Sequence, residues 1–172
     1  MRYIAVIWLL LLWLAPTVGF AQNLRFATDA SAPVTAKADK IIWQQAIGRA
    51  DLSGAAHITQ GPLSITAEAM HLLMDETGEA QNLVSQGQVV VLSKMGASAK
   101  DGIRRADADR ADYDLNANVL LLSGNVRVRQ NNARQGANVR AARLTIDMQT
   151  GLAHILGSPQ NGKPARARIE LE

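Results

Sequence analysis

Ala108-Asp109-Arg110-Ala111-Asp112-Tyr113, followed by Leu115, Val119 and then Leu122-Ser123-Gly124-Asn125-Val126-Arg127-Val128-Arg129, is the stretch that decides the fold. It opens on a small residue and an acid, places an apolar residue five positions after the small one, turns, and closes on a glycine. The same order recurs along the chain. The other openings are Ala38-Asp39…Trp43, Ala67-Glu68…Leu72 and Ala141-Ala142…Ile146. The other closings are Leu52-Ser53-Gly54, Ser85-Gln86-Gly87 and Ile155-Leu156-Gly157. Successive openings lie 29, 41 and 33 residues apart. A period of this size marks stacked units, each unable to bury its apolar face alone. It argues against a compact enzyme with one catalytic cleft.

The units are strands. Leu63-Ser64-Ile65-Thr66-Ala67 and Val126-Arg127-Val128-Arg129 alternate apolar with polar residues, as half-buried strands do. Val139 to Ile146 begins in alternation and then shifts phase, the mark of a bulge or bend. Ala165 to Glu172 alternates almost without fault. Gln60-Gly61-Pro62, Thr77-Gly78, Asn116-Ala117-Asn118, Asn131-Asn132 and Thr150-Gly151 supply the turns. Ala67 to Met74 admits a helical reading, but the matching positions of the other copies favour a strand. Ser93 to Arg105 reads as a long loop. The expected fold is all-β: an open, twisted roll of antiparallel strands stacked as V-shaped slices around an apolar interior.

The first residues read as a transport signal. Arg2 begins it, Ile4 to Leu14 is its apolar run, and Pro16 with Gly19-Phe20-Ala21 forms a small-residue cleavage site. A run of eleven residues is shorter than the roughly 20 that span a bilayer. The expected organisation is a signal over 1–21 cut after Ala21, a flexible polar leader over 22–32 and one β-roll domain over 33–172. Loss of Arg2 with the signal leaves 17 basic against 15 acidic residues. So mild an excess, without a basic cluster interleaved with aromatics, does not point to nucleic acid. The absence of cysteine excludes a disulfide scaffold and a thiolate metal site.

These features resemble the periplasmic lipopolysaccharide-transport protein A family (LptA/OstA-like), from about Pro33 to Leu171. The resemblance is carried by Leu52-Ser53-Gly54…Ile58-Thr59-Gln60-Gly61…Ile65-Thr66-Ala67-Glu68, by Ala108–Tyr113 with Leu115, Val119 and Ser123-Gly124-Asn125, and by Gly162-Lys163-Pro164. Val34-Thr35-Ala36 departs from the bulky aliphatics usual in that family's first strand. The resemblance implies a periplasmic carrier that holds the acyl chains of lipid A in an apolar groove, with no cofactor. It implies passage of lipopolysaccharide from an inner-membrane transport complex to an outer-membrane barrel. It also implies head-to-tail self-association through strand addition between the first and last strands.

Strand phase nominates Val34, Ala36, Ile58, Leu63, Ile65, Leu92, Tyr113 and Leu115 to line the interior. On pattern alone they pack as a closed core or line a groove; the resemblance implies the groove. The edges nominated for self-association are Val34, Thr35 and Ala36 at one end and Ala167, Ile169 and Leu171 at the other. The alternatives are an inner-membrane-anchored partner of the same transport system and a purely structural exported β-solenoid. No nucleophile with an activating base stands out, so an enzyme is not expected. His57, His71 and His154 are too scattered for a metal site. Asp107, Asp109, Asp112 and Asp114 read as partners of Arg104, Arg105 and Arg110, and Trp43 as core. Arg127, Arg129, Arg134, Arg140 and Arg143 read as a solvated face or as a contact for lipid phosphates.

Overall fold

The computed structural model describes residues 26, 29–94, 103–131, 136–160, 163–166 and 168–171. The strands are β1 (Val34–Lys37), β2 (Lys40–Gln44), β3 (Arg49–Gln60), β4 (Leu63–Met74), β5 (Ala80–Lys94), β6 (Ile103–Asp114), β7 (Val119–Asn131), β8 (Gly136–Asp147), β9 (Ala153–Leu156), β10 (Ser158–Gln160), β11 (Lys163–Arg166) and β12 (Arg168–Leu171). One antiparallel sheet runs β1-β3-β4-β5-β6-β7-β8-β12, with β2 also pairing β3 and β9 also pairing β8. β10 and β11 form a separate hairpin. The sheet does not close on itself, in keeping with the repeated slices.

The repeated glycines bend it. Opposite each acid strand the glycine strand carries one extra residue: Gly54 and Ala55 face Glu68, Gly87 and Gln88 face Asp109, and Gly124 and Asn125 face Ala142. Both extra positions are left-handed, at φ 74° and 43° for Gly54 and Ala55, 75° and 43° for Gly87 and Gln88, and 75° and 48° for Gly124 and Asn125. That is a bulge, which bends a strand and adds local twist. Because the bulges lie side by side, they form one crease, and every long strand folds into two arms.

The acid of the repeat sits over the glycine. A Cβ on Gly54, Gly87 or Gly124 would collide with the side chain of Asp39, Glu68 or Asp109 respectively. Asp39 N donates to the Gly54 carbonyl at 2.9 Å, Gln88 Nε2 to Glu68 Oε1 at 3.0 Å and Asn125 Nδ2 to Asp109 Oδ2 at 2.9 Å. The opening and closing of each copy are thus the two sides of one corner. The fourth copy has Ala142 where the acid would stand.

Burial follows the crease. Acid strands bury residues three apart across it (Ala67 and Met70, Ala108 and Ala111, Ala141 and Leu144), whereas glycine strands bury residues four apart (Leu52 and Ala56, Ser85 and Val89, Leu122 and Val126). The extra residue keeps the apolar side facing inward on both arms. The phase shift expected in Val139–Ile146 is this crossing, and Ala67–Met74 is a strand.

Several expectations are corrected. Ser93, Arg104 and Arg105 are in strands, because β5 runs to Lys94 and β6 begins at Ile103; the middle of that expected loop lies outside the described residues. The expected last strand is divided: β11 pairs β10, while β12 pairs β8, Ile169 opposite Val139 and Leu171 opposite Ala137. Ala167, between them, lies outside the described residues, as does Arg134. Trp43 is not core; on the edge strand β2 it is 49 % exposed, since no further strand covers it. Phe26, in the leader expected to be flexible, is buried.

Gly87→Ala should therefore cost about 3 kcal/mol, through left-handed backbone strain plus collision with Glu68. Gly78→Ala, left-handed at φ 85° but facing open space, should cost about 1 kcal/mol. Urea unfolding of both variants checks the contrast; equal losses would mean that the corner contact is not what the glycine serves.

Candidate functional site

The two arms face each other across an aliphatic interior. From the first arm come Ile58, Leu63, Ile65, Val91, Ala106, Val128 and Val139; from the second come Leu52, Met70, Leu72, Leu83, Leu120, Leu122, Leu144 and Ile146, all buried. Where the arm tips approach, Val34, Ile58, Leu63 and Ile65 meet Leu72, Leu83, Tyr113 and Leu115 around a cavity of about 10 Å³. That is room for about one water molecule. The tips are linked by Tyr113, 2 % exposed, whose hydroxyl donates to Gln60 Oε1 at 3.3 Å across the gap. A wider cleft of about 430 Å³ adjoins this mouth, lined by Ala30–Val34, Gln60, Leu72, Met74, Ala80, Leu115 and Asn116 among others.

The structure thus gathers Val34, Ile58, Leu63, Ile65, Tyr113 and Leu115 at one place, with Ala36 packed beside the core. Leu92 is on the other face. It pairs with Ser64 and Arg105 while its neighbours Val91 and Ser93 are buried, so Val91 holds the inward place. Leu72, Leu83 and Val91 are among the interior residues not nominated from sequence; they lie next to bulges or in runs such as Val89-Val90-Val91-Leu92, where phase is ambiguous.

Among the described residues one charged side chain is buried, at the end of the first arm. Arg104 is 3 % exposed, its Nε donates to Gln130 Oε1 at 3.1 Å, and burial lowers its guanidinium to about 10, so it stays charged at neutral pH. Among the described residues the other charged side chains are half-buried or exposed. Asp107 binds Arg105 and Arg129, each at 2.7 Å, and Arg110 binds Asp112 at 2.6 Å. Asp109 serves its glycine corner instead. Arg127, Arg140 and Arg143 are exposed and in no ion pair among the described residues. His71 and Arg49 share Asp51 Oδ1, both at 2.6 Å, and His57 Nδ1 lies 3.0 Å from Thr66 Oγ1.

Among the described residues the outermost strands pair with no further strand. β1 and β2 end the sheet on one side, and Ile41 and Trp43, opposite inward-facing Leu52 and Ala50, extend the apolar inner face to that end. β12 and β9 end it on the other side.

An open, creased sheet with an aliphatic inner face defines a slice-built β-roll. The family model described as LptA/(LptD N-terminal domain) LPS transport protein matches residues 35–152, and the chain belongs to that family. Among solved structures it is similar to LptH of Pseudomonas aeruginosa, the LptA-homologous periplasmic component of the conserved lipopolysaccharide transport device. The TM-score is 0.67 and the identity 19 %, over 84 % of this chain and 97 % of that one. No curated protein matches.

Acid should loosen the outer face. Burial raises the Asp107 carboxyl, but hydrogen bonds from Arg105 and Arg129 outweigh it and hold the group below the ordinary carboxylate range. Asp51 is held low by Arg49 and then His71. A carboxyl lowered by folding stabilises above its unfolded value, near 3.9, and loses that contribution as pH falls through its folded value. Stability measured by urea should decline as pH drops below about 4. Asp107→Asn should flatten that decline, and an unchanged acid limb would show that these pairs do not set it.

Proposed function

We propose that this protein is a periplasmic carrier that holds the acyl chains of lipid A between its two arms and passes lipopolysaccharide toward the outer membrane. The observation that carries the reading is the aliphatic inner face, which runs from β1 to β8 in a chain of the lipopolysaccharide-transport family. Val34, Ala36, Ile58, Leu63, Ile65, Tyr113 and Leu115 are its lipid contacts in this proposal, with Val91 in place of Leu92.

Burying one acyl chain of about ten methylenes contributes on the order of 8 kcal/mol gross. The cavity between the arm tips holds about 10 Å³, too little for an acyl chain, so loading there requires the tips to part. The Tyr113–Gln60 hydrogen bond across the tips is worth about 1 kcal/mol. Parting the tips also exposes their apolar contacts, which an entering acyl chain covers again. No chemical step is needed; side chains of similar aliphatic character in each slice let a chain move between positions of similar energy.

The signal over 1–21, cut after Ala21, delivers the protein to the periplasm in this reading. Its free edges, Val34–Ala36 at one end and Ile169 with Leu171 at the other, receive strands of neighbouring copies, of the inner-membrane transport complex and of the outer-membrane barrel. Such head-to-tail contacts do not close and build a bridge.

A photo-crosslinking residue placed at Tyr113 should yield a lipopolysaccharide adduct in cells, whereas one at Leu92 or Arg127 should not. Adducts only at the outer positions would mean that lipid travels on the other face. None at any position, with the protein exported and folded, would leave a structural solenoid.

A further inference from the structure

Phe26 stands outside the repeats and the sheet, eight residues before β1, yet its ring is 1 % exposed, as deep as Leu52 or Ile65. The described residues between it and β1 lie against the arm-tip mouth. Gln60 Nε2 donates to the Ala30 carbonyl at 3.4 Å, while Gln60 Oε1 accepts the Tyr113 hydroxyl from the opposite arm. Asp29 Cβ lies 2.8 Å from where a Cβ on Gly61 would be. Asp29 also closes its own turn, accepting from Ser31 N at 3.1 Å and Ser31 Oγ at 2.6 Å. Gln60 is thus shared between the leader and the latch of the mouth.

The holds on the two parts of the interior are unequal. The long strands are tied by ladders such as the ten register pairs between β3 and β4. Phe26 and Asp29–Pro33 have no strand pairing among the described residues; their described holds are one buried ring, a long side-chain bond and a local turn. An entering apolar chain displaces the group with the fewest directional bonds. We infer that Phe26 occupies the seat of an acyl chain, tethered through Asp29–Pro33, and leaves it when lipid loads, so that the leader is an intramolecular competitor that keeps the empty interior dry. This rests on the carrier reading above.

The exported protein, in which Trp43 is the sole tryptophan once the signal is removed, allows two readouts. Titrated with a fluorescent medium-chain fatty acid and with dispersed lipopolysaccharide, Phe26→Ala should bind about tenfold more tightly than the parent, because the competing burial is gone. Phe26→Trp in a Trp43→Phe background should emit as a buried indole when empty and shift to longer wavelength on loading. Unchanged or weaker binding by folded Phe26→Ala overturns the inference, as does an indole emission that stays blue at saturation in the Phe26→Trp variant; both leave the carrier standing. If Phe26→Ala does not fold, the tryptophan signal decides alone. Failure of parent and variants alike to saturate with either lipid overturns the carrier reading, and this inference with it.

Discussion

The structure depends on one steric arrangement: a glycine in left-handed conformation lying directly under a carboxylate side chain of the neighbouring segment. Gly54 under Asp39, Gly87 under Glu68 and Gly124 under Asp109 fix both the position and the sense of each bend. A flat antiparallel sheet of these strands would have one apolar face and nothing to bury it against. The crease solves this by folding the face onto itself. Since each corner needs a neighbour's acid, the bend propagates across the sheet and cannot drift along a strand.

That constraint explains the composition of the interior. Two arms of one sheet approach closely, so the facing residues are small or slender aliphatics, and aromatic residues are only 4 % of the chain. Tyr113 is placed where its hydroxyl reaches Gln60 on the other arm, the usual condition for burying a phenol. Among the described residues the buried polar side chains are Gln60 at the tips, Ser85 beside the crease, and Ser93 and Arg104 toward the end of the first arm. Closure is therefore strong along the crease, where the backbone makes it, and weak along the tips, where side chains make it.

Much of this was legible in the sequence. The Ala-acid and Ser-Gly signatures announced the repeat, and the phase shift in Val139–Ile146 announced the bend. What the sequence did not disclose is that the two signatures belong to the same corner in space, because they lie on different strands. Leu92 was misplaced because four successive apolar residues carry no period, and only the bulge at Gly87-Gln88 decides which of them turn inward. Trp43 was misplaced for a different reason: its strand phase is inward, but the sheet ends there. Phe26 gave no periodic signal at all, being a lone aromatic in a polar segment.

The same geometry reconciles tight packing with transport. A rigid, fully enclosed apolar groove would hold several acyl chains too firmly to release them, while a permanently open one would expose aliphatic surface whenever empty. Arms hinged at a backbone crease and joined at the tips by side-chain contacts avoid both extremes. The collapsed interior satisfies its own apolar surface, and in the proposed carrier reading the contacts that would yield to lipid are those at the mouth. The free ends matter for the same reason. With Ile41 and Trp43 continuing the inner face to the edge of β2, the apolar surface runs to the end of the molecule, and a second roll docked there would lengthen the groove without any change inside the first.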